Sequence, residues 1–252
     1  MDHPIERILH DGGTIGWDVT ELDEAGILPT RNFRSGSFED ADKICGETFH
    51  NDYFVEADSC HGCPIRCKRV ARSTAEHQVD PTYGGPEYET AAAFGSLCGI
   101  SNLEAICKAH ELCNGYTLDT ISAGSSIAFA MECFENNLLS IQDTDGLELN
   151  FGNHEAMIRL IHKIAKREGI GDLLAEGTWR AAQKIGQGSE KFAMQVKGQE
   201  MAMHEPRGKG SLALAYALSS TGANHTEGPH DYLFQEGALG VSDLTELGLL
   251  EP

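Results

Sequence analysis

Positive charge is scarce in this chain. Nineteen lysines and arginines stand against thirty-nine aspartates and glutamates in 252 residues, a formal net charge of −20. Nucleic acid and anionic membrane surfaces would be repelled, so neither is expected as a partner. Long apolar runs are missing too. No stretch has the length a membrane helix needs, and the N-terminus lacks the basic and apolar regions of a signal peptide, so a cytoplasmic protein is expected. A disulfide framework is also lacking. Of the eight cysteines, Cys45, Cys98, Cys107, Cys113 and Cys133 are scattered among small apolar residues and read as buried hydrophobes. A chain of this length can bury a real core, as one large domain or two small ones.

The other three cysteines are crowded into Cys60-His61-Gly62-Cys63-Pro64-Ile65-Arg66-Cys67. Gly62 and Pro64 suit a tight loop that turns sulfurs toward one point. Closed zinc and iron–sulfur sites take four protein ligands, so the loop is one ligand short. A zinc site would normally bring a second knuckle or an H-x3-5-H pair, and none follows, which favours a cluster over zinc. Arg66, Lys68, Arg69 and Arg72 come next. They read either as a solvated face or as a patch that tunes an anionic cluster and meets an acidic electron carrier.

The rest of the chain is patterned for helices. Short helical stretches are expected at Pro4–His10 and Asp18–Ala25, with Trp17 and Phe33 in packing roles. Pro86 can open a helix whose first turn holds Glu87 and Glu89. Thr90 to Ile100 is almost wholly apolar, so those carboxylates sit at the edge of a core, where burial would raise a carboxyl pKa toward neutrality. Further helices are expected over Asn102–Gly115, Leu118–Leu139, His154–Glu168 and Gly171–Ile185. Asp119 can cap the second of these, and Ala123 and Gly124 suit close helix contact. Residues 140–153 read as an acidic linker, and His154 and His162 as isolated. The GIGDLLAEG segment has no preceding strand and reads as a helix junction, not a phosphate loop. A helix at Leu212–Ser219 precedes His225, His230 and Asp231. Together with His204 these histidines show no compact ligand spacing, and one imidazole beside a substrate carbonyl is the more economical use.

Five segments, CHGCPIRCKRV, GGPEYETAAAFGSLCGI, LCNGYTLDTISAG, GDLLAEGTWRAAQKIG and FAMQVKGQEM, follow one another as in the middle of the tungsten-dependent aldehyde:ferredoxin oxidoreductase family, which the chain resembles from about residue 8 to about residue 232. The resemblance implies an all-α, multi-helical fold, domain 2 of that family plus part of domain 3, divided as residues 1–194 and 195–252. It places Glu89 beside the metal and pairs it with His225 of Gly222-Ala223-Asn224-His225. It assigns Asn114, Leu118 and Asp119 to the grip on a pterin, with Asn and Thr where the family usually has Asp and Gly. It gives Cys60, Cys63 and Cys67 to a 4Fe-4S cluster.

The implied enzyme oxidises aldehydes at a tungsten (or molybdenum) bis-pterin and passes electrons to ferredoxin or a similar carrier. HEPRGKG, with His204 and Glu205, departs from the usual aldehyde enzymes and is similar to the branch that includes tungsten benzoyl-CoA reductases, so an acyl-CoA reductase is the alternative. A non-catalytic zinc-binding interaction module is a third. The resemblance also implies a β-rich, pterin-clasping domain before residue 1 and a fourth cluster cysteine after residue 252. A central fragment is therefore expected, metal-free and inactive alone, in an enzyme that could be a homodimer. One spatial requirement follows: the cysteine loop, Glu89 and His225 should surround a common hollow.

Overall fold

The computed structural model describes residues 4–16, 19–228 and 230–231. Trp17, Asp18 and the stretch from Tyr232 onward lie outside the described residues. Helices form the body, as expected: α1 (Pro4–Gly12), α2 (Val19–Glu24), α3 (Gly46–Asp52), α4 (Tyr88–Phe94), α5 (Leu103–Tyr116), α6 (Thr120–Glu135), α7 (His154–Lys166), α8 (Ile170–Leu174), α9 (Thr178–Ile185) and α10 (Gly210–Leu218). Two small antiparallel hairpins join them, β1 (Phe54–Asp58) with β2 (Lys68–Ala71), and β3 (Gln195–Val196) with β4 (Gln199–Glu200).

The centre is α4 packed on α6. Every residue of α4 except Glu89 is buried, and so is the unbroken run Ala123–Cys133 of α6. Their backbones approach closely because small residues face each other: a methyl added to Gly124 would stand 2.8 Å from the Ala93 Cβ. Phe49, Phe94 and Phe129 fill the main core, which reaches as far as Met203. A second, smaller core holds Ala202, Leu212, Tyr216 and Ala223.

Several expected elements are shorter than their apolar patterns. The helix expected to open at Pro86 begins at Tyr88, with Glu87 as its cap residue, and stops at Phe94, because Gly95 takes φ −91°, ψ −100° where a side chain would strike the Ala91 carbonyl and Ile44; a single 3-10 turn, Ser96–Cys98, follows. The expected Gly171–Ile185 helix is broken at Gly177, whose φ of +83° suits glycine and whose missing side chain leaves room for the Glu200 carboxylate. The expected helix from Leu118 begins at Thr120, and Asp119 is its cap, accepting the Ser122 N–H at 2.7 Å.

Gly124→Ala should test the central packing. Alanine is the better helix former by about 1 kcal/mol, yet the crowding against Ala93 should make the variant less stable by about 1–3 kcal/mol in chemical denaturation. Unchanged or higher stability would show that α4 and α6 are not in such close contact.

Candidate active site

Glu89 lies in the first turn of α4, and its surroundings come from 114 residues further along the chain. Its Oε2 accepts the Met203 backbone N–H at 2.8 Å, while the neighbouring Tyr88 hydroxyl donates to the Met203 carbonyl. Two consecutive side chains of α4 thus hold both polar groups of one peptide residue, which pins the segment after β4 against the helix. Oε1 is buried and has no well-aligned hydrogen bond, but two imidazoles face it: His204 Nε2 at 3.1 Å and His225 Nε2 at 3.7 Å.

Lys209 fixes which nitrogen of His204 carries the proton. Its Nζ lies 2.8 Å from His204 Nδ1. An ammonium has only donors, so Nδ1 is the acceptor and the ring proton sits on Nε2, toward Glu89. Burial pushes the His204 pKa down, which keeps this imidazole neutral. For Glu89 burial is the largest single influence and favours the neutral acid, but the His204 contact, the nearby imidazoles and the Met203 N–H outweigh it and hold the carboxyl below its usual range. This reverses the sequence-based expectation. The carboxyl that burial raises is Glu87, whose side chain accepts from Thr14.

His225 is delivered by a loop after α10. Gly222 (φ +107°) passes so near β3 that a Cβ would lie 2.2 Å from the Val196 carbonyl, and Ala223 plugs into the smaller core. His230 completes the histidine group, its ring 4.8 Å from that of His204 and its pKa pushed down to about 4, chiefly by burial. Glu89, His204 and His225 also line one cavity of about 460 Å³ together with Glu87, Thr90 and Thr120. Their ligand atoms are close enough to hold a cation. With the His204 proton directed at Glu89, however, the set is better arranged to handle protons. Sequence spacing gave no sign of His204; its one signal was its place in the departing HEPRGKG segment.

The cysteine loop is the tip of the β1–β2 hairpin. Cys60 is exposed and Cys63 and Cys67 half-buried; the Cys63 N–H donates to the Cys60 carbonyl at 3.0 Å, and Gly62 and Arg66 take positive φ. The loop is tied to α1 from below. Arg69 is only 3% exposed and donates to the Arg66, Lys68 and His10 carbonyls, while His10 Nδ1 meets the Ile65 carbonyl at 2.8 Å. Arg69 is therefore an anchor and not part of a solvated basic face. The three sulfurs do not lie within 4.8 Å of one another. Tetrahedral zinc would need sulfurs roughly 3.8 Å apart, so no zinc knuckle is preformed. A larger cluster suits more widely spaced thiols.

The expected common hollow is divided. Glu89 and His225 share the first cavity, but no cysteine lines it. Glu87 is the partition, for it also lines a second cavity of about 480 Å³ with Lys68, Arg69, His110 and Asn114. The Asn114 amide nitrogen is engaged by the carbonyl and ring of His110. Leu118 and Asp119 border a third cavity of about 270 Å³, so the proposed pterin-facing residues are split between two hollows. Asp119 spends Oδ2 on its cap. The buried, poorly satisfied Glu89 oxygen beside an open cavity, and three unpaired thiols on an anchored loop, suit a polar cofactor and a cluster respectively.

The family described as "Aldehyde ferredoxin oxidoreductase, domains 2 & 3" matches residues 1–246. A "Tungsten-containing aldehyde ferredoxin oxidoreductase" of Pyrococcus abyssi is 39% identical over 225 residues, 88% of this chain and 36% of that protein. An "Aliphatic sulfonate oxidoreductase, WOR-like subunit" of Pyrococcus furiosus is 33% identical over 207 residues, 79% of this chain and 32% of that protein. A solved chain of the active-site complex of benzoyl coenzyme A reductase shares the fold, with a TM-score of 0.62 and 24% identity, over 81% of this chain and 30% of that one. The chain thus spans about a third of the length of the relatives it matches. The ordered motifs, the helical fold and these matches make the chain a member of the aldehyde ferredoxin oxidoreductase family, corresponding to its domains 2 and 3.

Proposed function

We propose that the chain forms one wall of the active site of a tungsten (or molybdenum) bis-pterin oxidoreductase that converts aldehydes to carboxylic acids. The observation that supports this best is that Glu89, met by the Met203 N–H and the His204 imidazole, faces the same cavity as His225. Converting an aldehyde and water to a carboxylic acid releases two electrons and two protons. When bound, the metal-pterin group takes the electron pair. Cys60, Cys63 and Cys67 would hold a 4Fe-4S cluster, which would supply the electron path toward ferredoxin, and Asn114, Leu118 and Asp119 would border the pterin. Glu89 accepts a proton at Oε1, the oxygen with spare capacity. His225 Nε2 donates a hydrogen bond to the carbonyl oxygen and so polarises it. His204, fixed by Lys209, orients the Glu89 carboxylate and keeps it ionised.

One observation favours a second reading. His204 stands in HEPRGKG, the segment similar to the benzoyl-CoA reductase branch, and sets a second imidazole against the Glu89 carboxylate, which suits reduction of an aromatic acyl-CoA.

In the full-length protein carrying this chain, Glu89→Gln should lower aldehyde oxidation by about 10²–10⁴-fold with metal content unchanged. Wild-type activity in that variant would remove Glu89 from the chemistry, and wild-type turnover of an aromatic acyl-CoA with none of aldehydes would select the second reading. Nitrogen-15 NMR at pH 7 should show His204 as the neutral Nε2–H tautomer. An imidazolium or an Nδ1–H ring would contradict the assigned roles of Lys209 and Glu89.

A further inference from the structure

A second cluster of metal-ligating side chains lies away from the cavities described above. Glu76, His77, His154 and Glu155 bring one ligand atom each to within 4.8 Å of one another. His154 had read as isolated in the sequence, but folding sets it against a residue 77 positions earlier.

Two elements build the cluster. The loop carrying Glu76 and His77 is pinched shut where Ser73 pairs with Val79, and its Gln78 carbonyl accepts from Lys108 Nζ at 3.0 Å. His154 and Glu155 are the first two residues of α7, whose cap is already provided by Asn153, accepting from the Ala156 N–H at 3.1 Å. Neither is needed to satisfy the helix end. His154 Nε2 lies 3.6 Å from Glu155 Oε1, and His77 Nε2 lies 3.9 Å from the same oxygen. The two imidazoles meet edge to face, centroids 5.5 Å apart.

A separate observation points to a ligand. The His77 side chain is only 9% exposed, and its Nε2, directed at Glu155, is buried without a hydrogen-bond partner. A buried ring nitrogen left unpaired is unfavourable unless something fills its coordination. Besides Glu155, His154 Nε2 meets the Asn102 amide at 3.5 Å, too far for a firm hydrogen bond.

We propose that these four residues bind a zinc-type divalent cation. Nitrogen and carboxylate oxygen ligands at about 2.0–2.2 Å from tetrahedral zinc stand roughly 3.4 Å apart. The 3.6 and 3.9 Å separations need to contract by only a few tenths of an ångström. Two neutral imidazoles and two carboxylates would balance the 2+ charge, and four protein ligands make a closed structural site. The ion would clamp the 73–79 loop to the start of α7, and the chain's negative charge would favour its entry.

The test separates this site from the thiols and from the Glu89 group. In a Cys60→Ser, Cys63→Ser, Cys67→Ser background, Zn²⁺ is titrated against a chromophoric chelator, with folding checked by circular dichroism. His77→Asn should weaken the tightest binding event at least about tenfold, whereas His204→Asn should leave it intact. Equal affinity in the His77→Asn variant would overturn the proposal, as would a loss seen only with His204→Asn. Crystals of the unsubstituted chain grown with Zn²⁺ give an independent readout. Anomalous density between His77 and His154 supports the site, and its absence there refutes it even if the substituted chains fail to fold.

Discussion

A carboxylate can be kept charged inside a protein only if donors replace the water it loses. Glu89 is that group here. It stands in the first turn of a helix whose other residues are all buried, so α4 cannot bury them without drawing Glu89 inward. The donors come from the segment after β4: the Met203 N–H directly, and the His204 imidazole across 3.1 Å. Removing the charge from water and docking the last third of the chain on α4 are therefore one event. Tyr88 adds the second point of attachment, and Lys209 sets the tautomer that lets His204 face an anion.

The rest of the molecule supports that contact. α6 comes close enough to hold α4 rigidly because Gly124 has no side chain, and Gly222 lets the His225 loop cross the β3 carbonyl. Glu87, the residue before Tyr88, divides the carboxylate cavity from the one beside the cysteine loop, with Thr14 in the turn after α1 supporting it. The cysteine loop is held by buried Arg69 and by His10. α1 therefore touches both the wall of the first cavity, through Leu9, and the base of the cysteine loop, through His10.

Much of this was legible in the sequence. The α7 stripe of Met157, Leu160, Ile161 and Ile164 is buried as its spacing required, and Asp119 caps α6 as its position suggested. Local pattern placed Glu89 at a helix start, and the family words paired it with His225. What was not legible depends on distance along the chain. His204 meets Glu89 across 115 positions and His77 meets His154 across 77, and no periodicity encodes such meetings. Nor could burial alone give the direction of the Glu89 pKa, because the donors that reverse it belong to a remote segment. The broken helices at Gly95 and Gly177 were hidden in part for the same reason: Gly95 is crowded by Ile44 as well as by the Ala91 carbonyl, and Gly177 by Glu200.

The charge on Glu89 carries the account, and it is directly measurable. With carbon-13 in the glutamate carboxyls, assigned by comparison with Glu89→Gln, the Glu89 resonance followed against pH should titrate below the ordinary value of 4.5. A midpoint above it would mean that burial prevails over Met203 and His204, and that the carboxyl enters the cavity as an acid instead of a base.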